Sequence, residues 1–344
     1  MNPENPPQLR FFVLTCRDPR NDFRLPLAQA LQRDFETWYV WIKRRPVVTG
    51  PGVENTPKEM SFSKFLLFML NTTPDEKLPI YFNSTNALYP GLMLLLRILW
   101  KRGIWCFDMH DDLLYHHRGI KRLRTTIAIK ILRLTSDVTV HAAATLKKLF
   151  PDSHHLGNAS QMTSLKRLTS TEGKVLILAS VDDRFDFDLV SKVIQRCPNL
   201  IFDIYGQVLP FVADQFQRLL QDKTNIHFRG VYTMDELTGI LSRYSVTFAP
   251  YVTGVRQTEY IDPLRFYHCL NSGMEVITTD IPQAQLMRHA VHVIHGEDDF
   301  AELFSETGLV KDLKQPAYEP LTWERRASQL IYILRGLPRY QSLC

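Results

Sequence analysis

The sequence predicts an α/β protein built from two doubly wound parallel-sheet domains facing a cleft, and three observations lead there. Short apolar strands alternate with helices from end to end, the pattern of a parallel sheet with helices on both faces. One polar interval, "GNASQMTSLKRLTSTEGK" at 157–174, breaks the alternation near the middle. The 344 residues also exceed what one typical core fills. The boundaries follow: a first domain over 1–160, a linker over 161–173, a second domain over 174–321, and a closing helix over 322–344.

"LRFFVLTC" (9–16) is an apolar run of strand length, and "FRLPLAQALQRD" (23–34) places its apolar residues at helical spacing. "TWYVWIK" (37–43) is the second strand. An apolar helix at 62–70 precedes the strand "LPIYF" (78–82), a helix at 87–101 and the strand "GIWCFDM" (103–109). "TTIAIKILRLT" (125–135) is helical, "DVTVHA" (137–142) is a strand, and Pro151 ends a helix over 143–150. After the polar interval come "KVLILAS" (174–180), a helix near 187–196, "LIFDIYG" (200–206), a helix near 211–221 and "NIHFRG" (225–230). "TMDELTGILSRY" (233–244) is helical and "SVTFAP" (245–250) is a strand. A helix opening at Asp262 runs to Gly273, followed by the strands "MEVITT" and "AVHVI" (290–294). "TWERRASQLIYILRGL" (322–337) is the last helix.

Composition narrows the class. Five widely spaced cysteines without a Cys-x-x-Cys exclude a disulfide framework and a zinc site, and fit a reducing compartment. "MNPENPPQLR" lacks the basic-then-apolar pattern of an export signal, so a cytoplasmic location is expected. Residues 1–170 carry a net charge of +10 and residues 171–344 a net charge of −5. The basic residues concentrate in 118–133, 100–102 and 42–45. They read either as solvated helix faces or as an attraction to an anionic surface. Two apolar runs in the same half, 62–70 and 88–100, are shorter than the ~20 residues of a membrane span. Beside basic helices they suit peripheral contact with a membrane, on its inner face. Nucleic acid is not an expected partner, because the basic helix lacks interleaved aromatics and the second half is acidic.

In open parallel sheets ligands bind at the carboxyl ends of the strands, so the loops there carry the function. "TCRDPRNDF" after the first strand has no glycine, and no G-x-x-x-x-G-K-[ST] occurs, which excludes the usual dinucleotide and P-loop signatures. "FDMHDDLLYHH" offers Asp108, His110, Asp111 and Asp112, with His116 and His117 beyond. An acid here serves as a base on a hydroxyl, or else Asp111 or Asp112 caps the next helix. In "SVDDRFDFD", Arg184 complements phosphate charge, while Asp182 and Asp183 read as caps. At "IDPLRFYHCLNSG", Asp262 reads as an N-cap and Pro263 as the first helical residue. The open N–H groups of that helix make an anion site worth ~0.3–1 kcal/mol per charge, with Arg265 and Tyr267 in its first two turns.

These stretches resemble the group 1 glycosyltransferases of GT-B architecture, whose two domains are Rossmann-like. "VDDRFDFDLV", "FDIYGQV", "NIHFRG", "MDELTGIL" and "DPLRFYHCLNSGMEVITTDIP" fall in that family's order, "HHLGNA" matches more loosely, and the last helix is similar to one that packs back on the first domain. The resemblance implies a nucleotide-diphosphate sugar donor on the second domain and a lipid-linked or oligosaccharide acceptor on the first, in cell-surface polysaccharide assembly. It implies donor contacts by Arg265, Tyr267, His268, Glu259, Arg184, Asp183, Gly206 and Asp262, and catalysis by Asp112, Asp111 or His110, with no metal or other cofactor. His268 stands where the family has a glutamate that holds the donor ribose; imidazole cannot accept two hydroxyl bonds as a carboxylate does. That departure keeps a non-catalytic sugar- or partner-binding protein in view, and a nucleotide-sugar epimerase, an enzyme of the same architecture, is the other alternative.

Overall fold

Parallel strands buried on both faces must be apolar at successive positions, and two groups of such runs build two sheets. The computed structural model describes residues 10–15, 24–41, 58–71, 79–83, 104–110, 112, 114, 118–165, 173–221, 223–304 and 318–338. The chain divides into two units, one of Met1–Asn158 with Thr322–Cys344 and one of Ala159–Leu321.

In the first unit the strands are β1 (Arg10–Thr15), β2 (Glu36–Trp41), β3 (Lys58–Ser61), β4 (Pro79–Asn83), β5 (Ile104–Met109), β6 (Val138–His141) and β7 (His154–His155), ordered β3-β2-β1-β4-β5-β6-β7. Every pairing is parallel. Phe11, Phe12, Ile104 and Phe107 are completely buried, each side chain contributing about 1.5–3 kcal/mol. Ahead of the closing helix, the described helices of this unit are α1 (Leu25–Leu31), α2 (Phe62–Asn71) and α3 (Gly119–Thr135). Helix α3 begins six residues before the expected 125, and the expected helix at 143–150 is a shorter 3-10 turn, Ala144–Lys148. The helix expected at 87–101 lies outside the described residues.

The second unit has β8 (Lys174–Leu178), α4 (Phe187–Arg196), β9 (Ile201–Tyr205), a 3-10 turn (Pro210–Val212) and α5 (Ala213–Leu220). Then follow β10 (Ile226–Gly230), α6 (Met234–Leu241), β11 (Val246–Ala249), α7 (Arg256–Glu259) and α8 (Leu264–Asn271). It closes with β12 (Glu275–Thr279), α9 (Pro282–Leu286), β13 (His292–Ile294) and α10 (Glu297–Glu302). The sheet order is β10-β9-β8-β11-β12-β13, all parallel, so direction reverses between β8 and β11. That is the switch point at which open sheets bind ligands.

Local signals set the helix starts. Thr233 and Glu236 form a reciprocal capping box on α6. Helix α11 (Trp323–Arg335), which belongs to the first unit, starts at Thr322, whose hydroxyl accepts from the Arg325 amide. Gly273, at φ +74°, ends α8. The described part of the expected linker, 161–165, lies on the second unit: the Leu165 amide donates to the Ser272 carbonyl at 3.3 Å.

Candidate functional site

The loops that leave β8 and β11 lie side by side at the switch point of the second unit. The Asp186 amide donates to the Pro250 carbonyl at 3.1 Å, and the Val252 amide to the Arg184 carbonyl at 2.9 Å. Phe185 and Tyr251 form an antiparallel bridge between the two loops. The Thr279 hydroxyl at the end of β12 bonds the Tyr251 carbonyl at 2.7 Å and accepts from its amide at 3.0 Å. Tyr251 is thus held by two segments, through Phe185 and Thr279.

Two guanidinium groups converge on this tyrosine. Arg265, from the first turn of α8, lies over its ring at 5.1 Å, near the limit of a favourable cation–π contact. Burial pushes the Tyr251 phenol up, while the charges of Arg265 and Arg184 act in the opposite direction. Arg184 has a local partner, because its amide and Nε bond Asp182 at 2.9 and 3.1 Å. Arg265 is half-buried, and no carboxylate among the described residues pairs with it. A half-buried cation that lacks an anion suits an anionic ligand. No side chain caps the start of α8 and its first turn holds no acid; the Phe266 amide turns back to the Pro263 carbonyl at 3.0 Å, which leaves the Leu264 and Arg265 amides to face the same ligand.

The remaining donor candidates divide. Asp262 does not cap α8: its carboxylate accepts from the Tyr267 hydroxyl at 2.6 Å, and Pro263 takes the N-cap position instead of the first helical one. Tyr267 is 1% exposed and also accepts from Gln283 Nε2 at 3.2 Å, so it locks the helix entrance from inside the core. His268 is buried, its Nδ1 2.7 Å from Ser160 Oγ. Burial lowers its pKa to about 4, and it is neutral at pH 7. Asp183 is exposed and Glu259 half-buried in α7. Neither Asp182 nor Asp183 caps the next helix; Asp186 does, accepting from the Leu189 amide at 2.9 Å.

Gly206 has a backbone role. Its φ is +137°, and a Cβ there would sit 1.8 Å from the Ala179 carbonyl oxygen. Only glycine lets the loop after β8 pass so close to the end of β9.

In the first unit the loop after β5 opens from a buried ion pair. Asp108 is fully buried within the strand, where Arg24 Nε bonds it at 2.9 Å and His110 Nε2 lies 2.9 Å away. Arg24 also stacks against Trp323 of α11 at 5.5 Å and donates to the Leu156 carbonyl at 3.1 Å. Asp112 is buried and accepts from the Leu114 amide at 3.1 Å, a turn contact. It does not cap α3, whose N-cap position is held by Arg118. Asp111, His116 and His117 lie outside the described residues. Among the described residues no group of His, Cys, Asp and Glu could hold a metal ion, and no helix is long and apolar enough to cross a membrane.

A cavity of about 410 Å³ lies elsewhere on the second unit, lined by Lys174, Asp203, Tyr205, His227, Arg229 and Arg243 among others. Its one carboxylate, Asp203, is engaged by Arg229 Nε at 2.6 Å and the Tyr244 hydroxyl at 2.7 Å. It sits along the sheet face and contains none of the residues at the switch point.

No protein-family model and no curated protein matches the sequence. Solved structures do match in fold. Anabaena HepE, solved in complex with UDP and glucose, is 11% identical with a TM-score of 0.63, over 97% of this chain and 98% of that one. AviGT4, a glycosyltransferase involved in avilamycin A biosynthesis, is 12% identical with a TM-score of 0.60, over 96% of this chain and 98% of that one. A Listeria monocytogenes structure named for a UDP-N-acetylglucosamine 2-epimerase is 11% identical with a TM-score of 0.56, over 96% of each chain. The chain therefore has the GT-B fold, two Rossmann-like units of parallel sheet, along nearly its whole length.

Proposed function

We propose that the protein is a glycosyltransferase that moves a sugar from a nucleoside-diphosphate sugar to a saccharide acceptor, the acceptor being lipid-linked and part of a cell-surface polysaccharide. The observation that carries the reading is Arg265, half-buried over Tyr251 at the switch point without a carboxylate partner among the described residues. The fold agrees, since HepE and AviGT4 share it and HepE was solved with UDP and glucose.

In this reading the second unit holds the diphosphate. The Arg265 guanidinium and the open amides of α8 face the oxygens that gain charge as the bond from phosphate oxygen to anomeric carbon breaks. Arg184, held by Asp182, stands on the neighbouring loop. The first unit binds the acceptor, whose hydroxyl oxygen forms the new bond. In an inverting reaction its proton passes to a base, for which His110, Asp111 and Asp112 are the candidates. In a retaining reaction the proton passes to the departing phosphate oxygen. Neither course requires a metal when cations and amides neutralise the leaving group.

A thermal-shift screen of UDP-, GDP- and TDP-sugars tests the reading. A donor at a hundredfold its Kd stabilises by ~2.7 kcal/mol, and Arg265→Ala, binding at least about tenfold more weakly, cuts that to ~1.4 kcal/mol or less. An unchanged shift in the variant removes Arg265 from the site. The second reading, an epimerase, is favoured by the Listeria structure, which shares the fold. NMR of a UDP-sugar incubated without acceptor separates the two, because only an epimerase inverts a ring carbon of the donor, while a transferase without acceptor at most passes the sugar to water.

A further inference from the structure

Helix α3 carries two apolar stripes. Ala128, Ile129 and Leu132 are buried against the first unit. Ile120, Leu123, Ile127 and Leu134 fall at heptad spacing on the opposite side and are 63%, 54%, 48% and 87% exposed. Single exposed leucines are ordinary, but four in one line of about 21 Å are not. Arg124 and Lys130 are exposed beside them, and Lys121 and Arg122, also exposed, lie farther round the helix.

The helix has no acidic residue in its first turn, and Arg118 at its N-cap position makes no side-chain capping bond. Cations crowd the end where the helix dipole disfavours them. Those cations therefore do not serve helix stability, and their use lies outside the helix. A second copy of the chain is a poor occupant, since pairing this stripe with itself would bring two sets of cations together with no acid from either helix. Apolar side chains flanked by lysine and arginine fit an interface of acyl chains beneath anionic headgroups.

We infer that α3 docks the protein on anionic membrane surfaces, with Ile120, Leu123, Ile127 and Leu134 entering the acyl boundary and the flanking cations contacting headgroups. The inference stands on α3 and does not need the transferase reading.

Vesicle co-sedimentation of the full chain tests it, with pure phosphatidylcholine compared against phosphatidylcholine containing phosphatidylglycerol. The protein is expected to pellet with the anionic vesicles, less so at high salt, and to stay in solution with pure phosphatidylcholine. Leu123→Ser/Ile127→Ser weakens partition about 30-fold, and Arg124→Gln and Lys130→Gln weaken it about fivefold each. All four residues are exposed, so circular dichroism melts of these variants match the parent. Equal pelleting with both vesicles, or parent-like pelleting of Leu123→Ser/Ile127→Ser, overturns the inference. So does a concentration-dependent dimer that the same double variant abolishes. The UDP-sugar thermal shift read in the same variants keeps the two ideas apart: it persists when docking is lost, and its absence from the parent leaves the vesicle result standing.

Discussion

The two units handle an arginine near the carboxyl ends of their strands in opposite ways. In the first, Arg24 is 1% exposed, bonded to Asp108 and stacked against Trp323. In the second, Arg265 lies over an aromatic ring with no carboxylate from the described residues. A buried cation whose charge is already matched organises a fold, while a half-buried cation whose charge is unmatched is organised for something else. On the proposed function, Arg24 organises the fold and Arg265 is the residue expected to meet the ligand.

The largest expected effect breaks the first half of that contrast. Asp108→Ala strands the Arg24 guanidinium in the core and destabilises the first unit by about 3–5 kcal/mol, read from its urea midpoint. Arg265→Ala leaves that midpoint in place and lowers transfer by roughly 10²–10³ in kcat/KM, because a group that stabilises the leaving charge is gone. If the stability and activity losses exchange places, the contrast is inverted.

A smaller effect concerns pH. His268 has its pKa lowered to about 4 by burial, so between about pH 6.5 and 4 the unfolded chain binds a proton that the folded chain refuses. Its contribution is complete above that window and falls by about 2 kcal/mol by pH 5. His141 in the first unit is also lowered to about 4, mainly by burial, so both units weaken in acid. His268→Gln flattens the acid loss in the second unit only. A pH profile of melting temperature unchanged by that substitution would contradict the buried, neutral assignment.

The sheets were legible because fully buried parallel strands announce themselves as unbroken apolar runs, as in "RFFVLT" and "IWCFDM". Strand β3, "KEMS", was missed because three of its four residues are exposed at a sheet edge and nothing apolar repeats. Helix α3 was begun too late because "GIKRLR" carries no cap and reads as a charged loop. That Arg265 and Arg184 stand beyond the ends of strands was legible from the loops that follow those strands; that both approach Tyr251 was not. Tyr251 was not singled out, since its place depends on the Phe185 bridge and on Thr279, which are distant in sequence. The caps at Asp262 and Asp182–Asp183 failed for a shared reason. Several carboxylates stood within reach of one helix start, and tertiary partners (Tyr267, Arg184) took those that sequence alone assigned to backbone amides. For His268, expected among the donor contacts, the bond to Ser160, 108 positions away, was not legible in the sequence.

Calorimetric titration of UDP into the parent, Arg265→Ala and Arg184→Ala reaches the central claim most directly. The account predicts that Arg265→Ala weakens binding at least about tenfold, the ~1.4 kcal/mol or more of a charge-assisted phosphate contact, at an unchanged melting temperature without ligand. Equal Kd values for the parent and Arg265→Ala would contradict it.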